Sequence, residues 1–309
     1  MKKIITIIGA TALGKTELAV KIAEKINGEI IGLDSRQIYN YMPIGTAQPT
    51  KDEMRNIKHH LVGIRDPWDS ISAGEYAKRV ITKVNNIKKR GSVPIICGGA
   101  GLYYRAITKG IFSKSHTNIV LRKELEDKYR SDPVSLMLRL KEIDPEYAKI
   151  VHINNKKRLI RALEIFEITG VSPTENFINQ KNKKSELLDL FTIHLSLEKK
   201  IHLNKIIERT NNMFKAGWVD EVNILLSLQK EKKVIMPALE SIGYKQIIEY
   251  LNGAIDKTTL LELIIARTRQ YARKQKKWFK NENIDLSIDL TNLNGQDTHK
   301  YICDIYNYI

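Results

Sequence analysis

Eight residues near the N-terminus, Gly9-Ala10-Thr11-Ala12-Leu13-Gly14-Lys15-Thr16, fit the pattern G-x-x-x-x-G-K-[ST]. Residues of these types at this spacing serve anion binding. Successive backbone N–H groups converge on a phosphate, the dipole of the following helix adds partial positive charge, and Lys15 supplies a full one. Thr16 is placed to hold Mg²⁺ through its hydroxyl. The pattern therefore predicts a bound diphosphate or triphosphate. A second group, Asp34-Ser35-Arg36-Gln37-Ile38-Tyr39, follows a short apolar run. A carboxylate at a strand tip beside a phosphate loop can bind Mg²⁺, act as a general base, or simply cap a turn. Gln37 carries the amide donor and acceptor that pair with adenine.

These groups need elements to place them. Residues 4–8 are a β-branched run, and Leu18, Ala19, Ile22, Ala23 and Ile26 recur at helical spacing before an Asn27-Gly28 stop. Residues 29–33 read as a second strand ending at Asp34. Residues 72–89 read as a helix with a Tyr76, Val80, Val84, Ile87 stripe, and residues 92–97 as a strand entering Gly98-Gly99. Strand and helix in alternation predict a parallel sheet with helices on its faces, and chemistry beyond the C-terminal strand ends. Residues 9–16, Asp34 and residues 98–103 should then meet in one cleft. The 92–97 strand carries no Asp or Glu, so the second magnesium-holding acid of a P-loop nucleotidase is missing there, which weighs against ATPase and kinase chemistry.

From about 115 to 185 the pattern is helical, with turn signals at Asp132-Pro133, Asp144-Pro145 and Gly170; residues 191–197 then alternate like a strand. The longest later helix spans roughly 258–280. The expected fold class is α/β, a P-loop NTPase-like parallel sheet core (1–114 and 188–309) with a helical insertion (115–187). Two cysteines, Cys97 and Cys303, leave no disulfide framework or four-cysteine zinc site. The adjacent His59-His60 pair lacks metal-ligand companions and reads as structural. Trp218, Tyr271 and Trp278 read as packing residues before base-stacking platforms. No apolar run reaches the roughly 20 residues of a membrane span, and the start of the chain has no signal-peptide architecture, so a cytoplasmic enzyme is expected; separately, a monomer is expected. Lys and Arg outnumber Asp and Glu 51 to 35, a net +16. Such an excess suits a polyanionic partner, and equally a lysine-rich proteome. Its clustering is more telling: Lys156, Lys157, Arg158 and Arg161 form one group, and Arg269, Arg273, Lys276, Lys277 and Lys280 a second along one helix.

The ordered set of motifs resembles the tRNA dimethylallyltransferases. It comprises the phosphate loop, residues 34–39, Ile44-Gly45-Thr46-Ala47, His60-Leu61, Gly98-Gly99 with Gly101-Leu102-Tyr103, and Arg158-Leu159-Ile160-Arg161-Ala162-Leu163-Glu164. Ile242-Gly243-Tyr244-Lys245 and Thr268-Arg269-Gln270-Tyr271-Ala272 with Trp278-Phe279 complete it. The resemblance runs to about residue 280. It implies transfer of a dimethylallyl group from dimethylallyl diphosphate to the exocyclic amine of the adenosine immediately 3′ of the anticodon, in tRNAs reading codons that begin with U. Under this resemblance residues 9–16 hold the leaving diphosphate, Lys15 and Mg²⁺ neutralise its charge, and Asp34 takes the amine proton. The base must leave its stack to react. Asp34, Ser35, Arg36, Gln37 and Ala100 meet the flipped base and its neighbours, Lys205 lies near the diphosphate, and Arg122, Lys157, Arg158, Leu159, Ile160 and Arg161 contact the tRNA anticodon stem-loop.

Several positions depart from the family pattern. Ala100 stands where the family normally has Thr or Ser, Gln48 where Lys is frequent, and Lys205 where Arg is common. Ala10 and Leu13 replace a frequent Pro and Ser. Losing one well-placed hydroxyl donor costs on the order of 10²–10³ in rate, so a slower or non-catalytic tRNA-binding relative stays open. So do a small-molecule kinase and an enzyme prenylating free adenine nucleotides. The 157–161 cluster favours the macromolecular acceptor.

Overall fold

A computed structural model describes residues 2–110, 118–181, 187–293 and 295–308. The chain divides into two compact units, Met1–Thr108 with Leu188–Ile309, and Lys109–Leu187. The boundary expected at 114/115 lies outside the described residues.

The first unit opens with β1 (Ile4–Gly9), α1 (Lys15–Ile26) and β2 (Gly28–Leu33). Two short helical turns, α2 (Pro43–Thr46) and α3 (Lys51–Met54), lead to β3 (His59–His60), α4 (Ala73–Lys89), β4 (Val93–Gly98) and α5 (Gly101–Thr108). The second unit consists of α6 (Ile119–Ser131), α7 (Pro133–Ile143), α8 (Pro145–Ile150), α9 (Lys156–Thr169) and α10 (Pro173–Lys181). The chain then returns through β5 (Leu190–Ser196), α11 (Lys199–Lys215), α12 (Trp218–Lys232), α13 (Tyr244–Leu251), α14 (Lys257–Phe279), β6 (Leu286–Asp289) and α15 (Gly295–Tyr308).

Among the described residues one six-stranded sheet forms in the order β3-β2-β4-β1-β5-β6, and every pairing is parallel. Parallel strands need crossovers that cover both faces, so β1, β2 and β4 read as nearly unbroken apolar runs and are buried along their length except at Val93, where β4 begins. Ile5, Ile7, Ile95, Ile193, Ala19 and Ile22 are fully buried where α1 packs on the sheet. His59 and His60 are β3: His60 Nε2 donates to Glu29 Oε2 at 2.7 Å, and Arg90 reaches the same oxygen at 2.7 Å.

In the second unit each Asp-Pro pair starts a helix. Asp132 accepts from Ser135 N (3.0 Å) and Asp144 from Tyr147 N (2.9 Å), with Pro133 and Pro145 at the first helical position. Asp144 also accepts from the Thr174 N–H and hydroxyl, which ties α10 to the start of α8. Leu136, Leu140, Leu159, Ile160 and Leu163 make the core of this unit.

Candidate active site

The phosphate loop runs from the end of β1 into α1. Gly14 caps the helix at φ +75°, a left-handed conformation that a side chain disfavours. Lys15 Nζ donates to Ala10 O at 2.6 Å. Burial is the main force lowering its pKa to about 8; Arg209 lowers it further, while Cys97 and Asp34 oppose the shift. Ala10 and Leu13 are buried in the sheet–helix core, so at those positions only the backbone faces an anion.

Thr11 is held on all sides. Its N–H donates to Gln275 Oε1 (2.9 Å), its carbonyl accepts from His202 Nε2 (2.8 Å), and its hydroxyl accepts from Arg209 Nη1 (3.0 Å). The amide of Thr11 is therefore committed to Gln275 rather than to phosphate. Residues 12–14 lead into α1, and the amides of Lys15 and Thr16 open it, where a helix leaves its first donors without intrahelical partners. Gln275 also donates to Gly99 O (2.9 Å), so one buried amide ties the loop to the β4 exit.

Asp34 arrives from β2. In the sheet register Leu33 faces Gly98 and Gly98 faces Ile8, which sets Asp34 about 10 Å, two strand spacings, across from the phosphate loop. Gly98 permits this: a Cβ there would overlap the Leu33 carbonyl, which also accepts from Gly99 N and Ala100 N. Asp34 Oδ1 accepts from Arg36 N (2.7 Å) and Gln37 N (3.2 Å), an Asx turn that places both local bonds on one oxygen. The turn-capping reading of Asp34 is thus met by Oδ1. Residues 34–37 are half-buried. Burial raises the pKa of the Tyr271 phenol, and the charge of Asp34 adds to the shift. Tyr103 is raised by burial, by Tyr39 and by Asp34, so both phenols stay neutral beside the carboxylate. Tyr103 stacks on Tyr76, ring centroids 4.1 Å apart, and Tyr76 donates to Gly32 O at 2.6 Å.

The segment after Asp34 is braced. Gln37 Nε2 donates to Ala47 O (2.6 Å) and Thr46 O (3.3 Å), so its amide donors serve the backbone and only its oxygen is left to read a base. Gln48, at the position where Lys is frequent, donates to Gln37 O and Tyr39 O. Glu221 accepts from Ile44 N (2.7 Å), Gly45 N (3.0 Å) and the Tyr244 hydroxyl (2.7 Å), which explains why the Ile44 and Tyr244 motifs belong together. Trp218 is buried between them as a packing residue.

Other expected site residues fall differently. Arg209, rather than Lys205, is the α11 cation bonded to the loop; Lys205 is exposed and acts electrostatically on Glu17 and His202. Burial pulls the pKa of Arg209 down, and Asp34 opposes that shift. Ala100 is buried, with its N–H on Leu33 O. In α9, Leu159 and Ile160 point into the core of the second unit, so their side chains do not lie on its surface. The 3.6-residue period places 157, 158 and 161 outward and 159, 160 and 163 inward. Lys157 and Arg158 are exposed. Arg122 and Arg161 both reach the buried Glu164 carboxylate, at 2.6 and 2.8 Å, with Asn118 N on its other oxygen. His202, Arg209, Gln275 and Glu221 carried no motif signal; the seven-residue spacing of His202 and Arg209 on one helix face is the only trace.

The chain is similar to known proteins over nearly its whole length. The family model described as IPP transferase matches residues 37–282. A tRNA dimethylallyltransferase of Thermotoga neapolitana is 39% identical over 297 residues, covering 96% of this chain and 95% of its own. One from Bacillus cytotoxicus is 36% identical, covering 100% and 95%. Among solved structures, the full-length tRNA isopentenylpyrophosphate transferase of Bacillus halodurans aligns with TM-score 0.70 at 31% identity over 100% of this chain and 98% of that one. A eukaryotic dimethylallyltransferase acting on tRNA aligns with TM-score 0.82 at 27% identity, over 99% and 78%. With its family model matched across most of its length and its relatives aligned nearly end to end, the chain belongs to the IPP transferase family.

Proposed function

We propose that this protein transfers a dimethylallyl group from dimethylallyl diphosphate to the N6 amine of the adenosine immediately 3′ of the anticodon, in tRNAs reading codons that begin with U. The observation that carries the reading is one strand-end cleft holding both an anion cradle and a half-buried carboxylate with its turn bonds on a single oxygen. Lys15, Arg209 and the amides of residues 12–16 hold the diphosphate. Both cations are there before substrate arrives, so charge developing on the leaving group meets preorganised donors. The allylic C–O bond breaks, the N6–C bond forms, and the amine proton passes to the outer oxygen of Asp34. Tyr103 and Tyr271 present aromatic surface to the allylic carbon as it gains positive charge.

A hard divalent cation suits the same place. Thr16 offers an oxygen donor, and Mg²⁺ accepts a single protein oxygen together with phosphate oxygens and water. When bound it adds positive charge to the leaving diphosphate. Ser35, Arg36 and the Gln37 oxygen meet the extruded base. On the second unit, Lys157 and Arg158 sit in the first turn of α9, which has no acid; cations there oppose the helix dipole until an anion docks. With Arg122 and Arg161 they bind phosphates of the stem-loop.

The test is transfer of radiolabelled dimethylallyl from its diphosphate to undermodified tRNA, with labelled ATP as a control. Label in tRNA and no phosphoryl transfer from ATP are expected. Intact tRNA binding with no label incorporated would refute the reading.

A further inference from the structure

The cation stripe of α14 has no role in that cleft. Arg269, Arg273 and Lys276 fall at i, i+4 and i+7 on one helix face, and with Lys199 and His202 of α11 they rim a groove of about 340 Å³. Leu203, Ile206 and Ala272 form its apolar floor, and no carboxylate lines it. Lys276 Nζ also reaches Leu197 O at 3.3 Å, which anchors the rim to the end of β5. Four full positive charges therefore converge on a space of ligand size with no internal counter-charge. None of residues 9–16 lines this groove, so it is separate from the phosphate loop. The two share one wall, because His202 donates to Thr11 O.

We propose that this groove is a second anion site, one that takes a diphosphate group. The group belongs either to free diphosphate or to an allylic diphosphate whose hydrocarbon lies on the apolar floor. A concave space toward which two helices direct cations matches a compact, multiply charged anion. An RNA strand would call for an open row of cations with large aromatic side chains to stack on, and no Phe, Tyr or Trp lines the groove. Because His202 spans both sites, occupancy of the groove bears on the position of Thr11 and hence on the phosphate loop.

Titration calorimetry of the full chain with inorganic diphosphate, without RNA, tests this. Two classes of site are expected. Lys15→Ala removes one, and the Arg273→Gln/Lys276→Gln double variant weakens the other about tenfold or more. The double variant alone, on the wild-type background, answers the question even where Lys15→Ala fails to fold. In the Lys15→Ala protein, tighter binding of dimethylallyl diphosphate than of inorganic diphosphate assigns the prenyl source, and equal binding the free anion. A single class of site that is unchanged in the double variant overturns the proposal. So does a double variant that loses tRNA affinity and salt dependence while both diphosphate classes persist, since that assigns the stripe to RNA. The readout needs no transfer reaction, so its failure is distinct from failure of the proposed function.

Discussion

Replacing Asp34 by Asn and by Ala separates the chemistry of this side chain from its structural part. Asn keeps an oxygen where Asp34 Oδ1 accepts from Arg36 N and Gln37 N. Each such bond contributes about 1 kcal/mol net, so Asp34→Asn should unfold within about 1 kcal/mol of wild type, and Asp34→Ala about 1–2 kcal/mol below it. The amide cannot take the amine proton. Loss of a positioned general base costs about 10²–10⁴ in rate, a barrier increase of roughly 3–5 kcal/mol. Single-turnover transfer at saturating dimethylallyl diphosphate and tRNA should therefore drop by that factor in both variants, with tRNA affinity retained. Asp34→Asn transferring within about threefold of wild type, beside an inactive Asp34→Ala, would show that residue 34 acts only by shaping its turn and would refute the proton-acceptor role.

Diphosphate affinity should fall about tenfold per pH unit above pH 8, because Lys15 is an ammonium below its lowered pKa of about 8 and neutral above it; calorimetry should show no such slope in Lys15→Met. Gln275→Leu orphans the Thr11 amide and the Gly99 carbonyl, so denaturant unfolding should show a loss of about 2–4 kcal/mol, and the KM for dimethylallyl diphosphate should rise. Glu164→Ala frees Arg122 and Arg161 from a buried carboxylate. It should weaken tRNA binding in filter assays and destabilise the second unit by about 1–3 kcal/mol, while kcat at saturating tRNA stays unchanged.

The parts of the fold legible in the sequence are those with strong local periodicity. Residues 4–8, 29–33, 92–97 and 191–197 are apolar or alternating runs with flanking turn residues, and the strands β1, β2, β4 and β5 lie there. The two-residue β3 and four-residue β6 are too short to carry a period, and each is held by its sheet neighbour. Asp34 could be placed near the phosphate loop because parallel sheets gather their strand ends. Arg209 and Gln275 could not, because a polar residue on a helix does not announce what it faces: Gln275 differs from its exposed neighbours only through tertiary contacts with Thr11 and Gly99. Leu159 and Ile160 teach the opposite lesson. The contiguous basic motif suggested contact along its whole length, whereas helical phase already turned those two inward.

The most direct measurement of the central claim is mass spectrometry of tRNA nucleosides from cells lacking this gene, restored with wild type or with Asp34→Asn. N6-dimethylallyl-adenosine should be absent from the deletion strain, return next to the anticodon with wild type, and stay absent with Asp34→Asn. Persistence of the modified nucleoside in the deletion strain, or its failure to return with wild type, would contradict the account.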